Sequence, residues 1–495
     1  VNLFENPIFI THRRLVHRGG MLAAVLIAAL IGFCLLIGLL EDLHVGIARF
    51  GYPEQAGRTF YGWTIALEIL VAVVGGFSRI SRTMADDGKA GLWESNRLTP
   101  LKPSQLLAGY WFGPPLREFY MALVLAVFGL PIVLCSGLPF TLWLGTQMLI
   151  LSTALFFGLL GVLSGMAFQR SQGMLIFLPL VLAIPFSATA PSRLLTNFLM
   201  PTYGIVNFFL NRSPHQYGSD WWNLPTVFGV HIQPVLLTLG LQFIVAIFVW
   251  RVLVRKTTSP FQPLVLPWEA FALFTFLAVS QHALLWDVWS GRFPTVFHSE
   301  RSQFDGPMLL SFVHCGTILV GLLLLGFASP SPEHVRLESL RLGFKNFGAF
   351  FSRSAVSLAL ALAALAGAAM SVHFVFSWRE SSSVCLVTGI NLAEIFLIFS
   401  LVLEYCRLRY KRRALGFVAL WLVGLCIVPV ILAGASSNET FARISLLAPG
   451  FIALSDENNQ DWFQLFSVLF AYFGIVMLLF IGWLREWRKL LAKKS

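Results

Sequence analysis

Residues 87–109 read DGKAGLWESNRLTPLKPSQLLAG, and this charged interval decides how the apolar sequence around it is organised. It lies between two apolar runs, so it must leave the bilayer. Lys89, Arg97 and Lys102 mark it as a cytoplasmic loop, because such loops collect Lys and Arg. Within it, a helix-compatible stretch from Gly91 to Leu98 stops at Thr99-Pro100. A new helix is predicted to open at Pro103-Ser104 and to run into the next span, since proline is tolerated in a first turn, where its missing N–H would have no helical partner anyway. The pattern is a short helix parallel to the membrane and exposed to cytosol. Such a helix can receive force from a soluble motor.

Composition sets the frame around that loop. The 495 residues are 57% hydrophobic and only 12% charged, with a mean hydropathy of +0.75. These values predict an all-α, polytopic membrane protein and exclude ordinary soluble usage. The 46 Phe and 15 Trp suit lipid-facing and interfacial positions. In a soluble chain a net charge of +11 would point to nucleic acid. Here positive-inside topology accounts for it, so the expected partners include membrane lipids and no nucleic acid.

Apolar runs of about 20 residues place twelve spans at 20–41, 61–79, 117–136, 140–168, 173–190, 232–254, 266–287, 307–328, 355–377, 384–405, 414–435 and 463–484. With both termini cytoplasmic, 26 of the 35 Lys and Arg fall on the inner side and 8 on the outer. That asymmetry favours twelve spans with both ends in the cytosol. The run after Arg18 reads as a retained first span rather than a cleaved signal. Before it, Asn6-Pro7 reads as a cap and first helical residue. Ile8, Phe9, Leu15 and Val16, mixed with Arg13, Arg14 and Arg18, then read as an amphipathic surface helix. Outside the membrane the longest segment is Pro191–His231. Its start is greasy but broken by Pro201 and Gly204, so a re-entrant or interfacial hairpin is predicted, with Trp221 and Trp222 at the interface.

The 87–109 interval resembles the coupling loop of the permease subunits of type-2 ABC transporters. The residues that carry the resemblance are Gly91, Glu94 three positions on, and the triplet Thr99-Pro100-Leu101, followed by Leu106, Leu107 and Gly109. The NPIF start with its basic residues is similar to the elbow helix that opens such permeases. The external hairpin also falls where that family has short external helices. The resemblance covers residues 1–257 as a six-span core, with a coupling loop over 80–104 and the hairpin at 191–231. Leu92 stands where the family usually has Thr, and Ser95-Asn96-Arg97 where it has a leucine run, so a more polar contact surface is implied. The resemblance implies a permease subunit of a bacterial inner (cytoplasmic) membrane, an exporter, coupled to separate ATP-binding cassette subunits and to a second permease copy or a related permease. Gly91, Glu94, Thr99, Pro100 and Leu101 would make the coupling contact.

Residues 258–495 read as a second six-span bundle without the Gly-Glu-Thr-Pro spacing. Its longest cytoplasmic segment reads as an amphipathic helix over Pro332–Arg353. No G-x-x-x-x-G-K-[ST] loop occurs, so ATP would be bound by other subunits, and no catalytic residue is expected. Cys34, Cys135, Cys315, Cys385, Cys406 and Cys426 are scattered and read as small apolar fillers; neither metal nor cofactor is expected. His282, His314 and His373 each lie in a different span. They keep open a non-transporting quinol or haem scaffold of an oxidoreductase, and an ion-coupled carrier is the other alternative. Intramembrane carboxylates are costly and are usually paired or functional. Glu68 and Glu394 are therefore candidates for a translocation path or for intramembrane pairing, with Arg117 a partner open to Glu68.

Overall fold

The structure is a computed structural model that describes residues 5–18, 20–49, 53–167, 226–228, 230–232, 234–259, 262–284, 305–328, 355–377, 382–410 and 462–492. Apart from a two-residue strand pair, Thr226–Val227 with Val230–His231, the described elements are helices. The chain divides into two compact units. The first is Val1–Ser192 with Thr196–Pro225 and His231–Thr258; the second is Ser259–Ser495 with Arg193–Leu195 and Thr226–Val230.

In the first unit, α1 (Pro7–Arg18) is followed by α2 (Met21–Arg49), α3 (Pro53–Ile69), a π-helical segment (Leu70–Gly75) and α4 (Gly76–Lys89). Next come α5 (Leu92–Arg97), α6 (Pro103–Phe112), α7 (Leu116–Cys135), α8 (Phe140–Ala167) and α9 (Pro234–Thr258). Asn6 caps α1 as its sequence predicts, its Oδ1 accepting from the N–H groups of Ile8 at 3.0 Å and Phe9 at 3.5 Å. Ile8, Phe9 and Val16 are buried while Arg13, Arg14 and Leu15 are exposed, so α1 is amphipathic and packs on α6. α8 carries no charged residue and is gripped on one side by α4 and on another by α9. The α4 contact requires glycine. A Cβ at Gly165 would lie 2.5 Å from Met84 Cβ and 2.8 Å from the Ser81 carbonyl oxygen. Close approach of this kind is how membrane helices gain packing where the surrounding lipid is itself apolar.

The second unit contains α10 (Pro267–Leu284), α11 (Asp305–Ala328), α12 (Ala355–Ser377), α13 (Ser382–Tyr410) and α14 (Trp462–Ala492). α13 packs between α12 and α14. Its Glu404 accepts a hydrogen bond from the Ala355 N–H and so caps α12. Glu269 does the same for α10 through the Leu266 N–H, at 2.9 Å.

Among the described residues, seven helices are long and apolar enough to cross a membrane: Met21–His44, Pro53–Lys89, Leu116–Cys135, Phe140–Met166, Val235–Thr258, Leu386–Cys406 and Leu465–Glu486. The chain is an all-α, polytopic membrane protein, and these seven helices coincide with seven of the twelve expected spans. Helices do stand at 267–284, 305–328 and 355–377, where spans are read. In α10, however, Glu269 and the Gln281-His282 pair leave too short an apolar stretch between them. α11 and α12 run over 24 and 23 residues at these positions. The reads at 173–190 and 414–435, residues 191–225 of the hairpin, and the Pro332–Arg353 helix lie outside the described residues.

The second expected span is also longer than its apolar run. It starts at Pro53 and continues ten residues past 79 to Lys89. The charged residues Arg82, Asp86 and Lys89 do not end it, because Ile80, Met84 and Ala85 keep an apolar stripe buried along the same turns.

Candidate functional site

The segment between α4 and α6 is built by three backbone devices. Gly91 stops α4 with φ +74°, a left-handed conformation that glycine adopts without strain. Six residues of α5 follow, and Thr99-Pro100 prevents their continuation. Lys102 then adopts an extended backbone before Pro103, the first residue of α6. The Gln105 side chain turns back to accept the Lys102 N–H at 3.0 Å.

α5 is anchored by one face only. Trp93 is buried, its ring edge-on to Tyr110 with centroids 5.5 Å apart. Tyr110 holds the junction together: its hydroxyl donates to Asp87 Oδ2 on α4 at 2.6 Å and accepts from Asn96 Nδ2 on α5 at 3.0 Å. His12 of α1 also packs edge-on to its ring, at 5.7 Å. Arg97 reaches α9, where its Nε donates to the Thr257 carbonyl at 2.8 Å, while Nη1 pairs with Glu94. Asn6 Nδ2 donates to the Gln105 carbonyl at 2.6 Å and ties α1 to α6. Five helices therefore meet at one polar junction. The outward face of α5 stays free of it: Leu92 is 51% exposed, Leu98 is 89% exposed, and Glu94, Thr99 and Pro100 are exposed beside them.

Burial and the neighbouring Asp87 carboxylate push the Tyr110 hydroxyl well above its ordinary range, so it remains a proton donor. Burial pulls His12 below its ordinary value. Asp87 opposes that shift and Arg79 adds to it.

The candidate residues inside the spans are placed separately. Glu68 is 1% exposed on α3, and its Oε2 accepts from Gln147 Nε2 of α8 at 2.9 Å. Tyr61 and Thr146, both buried, share this polar site. Arg117 does not pair with Glu68. Its guanidinium holds Oε1 of the adjacent Glu118 at 3.2 and 2.9 Å. Glu394 is buried on α13 of the other unit, its Oε2 without a hydrogen-bond partner among the described residues. Asn391, one turn before it, interacts with His314. His282 presents its ring nitrogens to the carbonyls of Ala278 at 2.8 Å and Ala369 at 2.9 Å, and thus joins α10 to α12. His373 lies on α12. Among the described residues no three or more His, Cys, Asp or Glu are grouped to hold a metal ion.

Sequence reading missed Tyr110, Gln147 and Glu118. A lone amide in the uncharged 140–168 run was a usable signal for Gln147, and the Arg117-Glu118 pair at a span entrance was one for Glu118. Nothing in the sequence singles out Tyr110, whose role comes from contacts to residues 14, 23 and 98 positions away. Compared with protein-family models, characterised proteins and solved structures, the chain matches none.

Proposed function

We propose that this chain is the membrane-spanning subunit of an ATP-driven transporter, working as an exporter, and that the Gly91–Leu101 segment docks a separate ATP-binding subunit. The observation that carries the reading is the division of α5 into two faces. Trp93, Asn96 and Arg97 fasten it to α4, α6 and α9, while Leu92, Glu94, Leu98 and Thr99-Pro100 remain on the surface. A contact made on that surface is passed to α4 through the Tyr110–Asp87 bond and to α9 through Arg97. An exposed leucine at each end of α5 with a carboxylate between them suits a protein groove with an apolar floor and a basic rim. One such segment per chain calls for a second copy or a related permease, because ATP sites formed between a pair of motor subunits need two docking elements.

The test is affinity purification of the tagged chain from its native membrane. The expected result is a stoichiometric ATPase subunit whose hydrolysis is stimulated by the permease. Native mass measurement should then give two permease chains for two motors. A chain that purifies with no ATPase from membranes in which it is functional would defeat the reading. One permease chain with two motors would defeat the paired assembly alone.

A further inference from the structure

α3 and α4 form one continuous helix whose hydrogen-bond ladder widens to a π turn over Leu70–Gly75. π turns inside α-helices occur mostly as single wide turns and often at functional sites. Glu68 lies two residues before this one. Its Oε2 takes the Gln147 amide, while its Oε1 is sealed from solvent and has no hydrogen-bond partner among the described residues. Glu118 of α7 lies at the other end of the turn, its Cγ 3.3 Å from where a Gly75 side chain would begin.

The two carboxyls differ in their charge balance. Glu118 has the Arg117 guanidinium on Oε1. No salt bridge to Glu68 is formed among the described residues. Its polar neighbours, Gln147, Tyr61 and Thr146, are uncharged amide and hydroxyl groups. α8 carries no charged residue, and on α2 the groups are Glu41, Asp42, His44 and Arg49, all toward its C-terminal end. Arg58 and Arg79 on the same helix are ten or more residues away, roughly 15 Å along the axis at 1.5 Å per residue. An ionised carboxylate sealed in the membrane with one neutral hydrogen bond is strongly disfavoured. A proton neutralises it without needing volume, and the Gln147 amide can serve the neutral acid in either orientation.

We propose that Glu68 is a proton-binding site inside the membrane that exchanges its proton when the adjoining π turn rearranges, so that the conformational cycle of this chain takes up and releases protons. The step is Glu68–COOH to Glu68–COO⁻ plus H⁺, with no redox change. Moving the wide turn along the helix re-registers the residues it passes and swings Glu68 away from Gln147, which opens the carboxyl to water. The inference goes beyond the transport reading and needs neither motor nor substrate to be tested.

The experiment is infrared difference spectroscopy of the full-length protein in lipid nanodiscs at neutral pH. Wild type should show a carboxylic-acid C=O band that is lost in Glu68→Gln and retained in Glu118→Gln. Gln147→Leu, which keeps the acid but removes its hydrogen bond, should shift the band to higher frequency; this variant covers the case in which Glu68→Gln does not fold. In D₂O the band should undergo its deuterium shift. A spectrum unchanged by Glu68→Gln or by Gln147→Leu overturns the site, and a band that never exchanges overturns its opening. Loss of the band on replacing choline chloride by sodium chloride at constant pH would assign the site to sodium and overturn the proton proposal.

Discussion

Tyr110→Phe isolates one hydroxyl at the polar junction, because the ring contacts to Trp93 and His12 survive the change. Two hydrogen bonds are lost, one donated to the Asp87 carboxylate and one accepted from Asn96. A hydrogen bond to a charged group contributes about 1.5–3 kcal/mol and a neutral one about 0.5–1.5 kcal/mol. Asp87 and Asn96 are both only half-buried, so water replaces part of what each loses. The net effect on the docked state of α5 is therefore about 2 kcal/mol, close to a 30-fold increase in its opening, since about 1.4 kcal/mol is a factor of ten. Amide hydrogen exchange across 92–98 reads this opening directly, because exchange follows local as well as global unfolding. Protection of α8 should not change. A change of less than twofold over 92–98, in a protein that remains folded, would refute the assignment of Tyr110 as the residue that holds the junction.

Gly165→Ala should cost about 1–3 kcal/mol from overpacking against Met84 and Ser81, read as a lower thermal midpoint in nanodiscs. Gly145→Ala on the same helix meets open space and should show no such loss. Glu94→Ala and Pro100→Ala alter exposed positions; they should leave insertion and melting unchanged while lowering permease-stimulated ATP hydrolysis, and normal stimulation in both would remove the docking role from this segment. His12 gives α1 a pH dependence of defined sign. Because burial depresses its folded-state pKa, protons bind better once α1 lifts away. Docking is thus complete above the ordinary His value of about 6.5 and weakens as pH falls through the lowered folded value. Hydrogen exchange of α1, corrected for intrinsic rate, should rise over that interval in wild type and stay flat in His12→Phe.

How much of this was legible depended on whether the determining interaction was local. Gly91, Thr99-Pro100 and Pro103 act on their own backbone, and Asn6 caps the next turn; the sequence therefore places α5 and the starts of α6 and α1 correctly, while α6 ends at Phe112, before Gly113-Pro114-Pro115, and does not run into the next span as expected. Basic residues mark where the bilayer ends but not where a helix ends, which is why α4 runs past Arg82 to Lys89. Counting apolar residues does not weigh the polar ones among them: α10 is helical over 18 residues, yet Glu269 and Gln281-His282 cut into its apolar length. The π turn has no signature within LVAVVG. The preference of Arg117 for Glu118 over Glu68, and of Glu68 for Gln147 79 positions away, is decided by how α3, α7 and α8 pack.

The two sites of the first unit share one rod. Glu68 and Asp87 are 19 residues apart on the continuous Pro53–Lys89 helix, roughly 28 Å at 1.5 Å per residue, about the thickness of a hydrocarbon core. A partner that displaces α5 either carries Asp87 with it or breaks the Tyr110–Asp87 bond. In the first case the movement enters α4, which is clamped to α8 through Gly165, and the π turn is the place where the ladder can shift without breaking. In the second case α4 and Glu68 are untouched. Conformational coupling requires an element with two discrete arrangements that both sites bias, and the rearrangement proposed for the wide turn would supply one within this helix. Binding of the proposed ATP-binding subunit with a non-hydrolysable nucleotide should therefore change the deuterium-exchange rate of the Glu68 C=O band in wild type and leave it unchanged in Tyr110→Phe. An equal change in both proteins would show that the signal reaches Glu68 by another route, through Arg97 and α9.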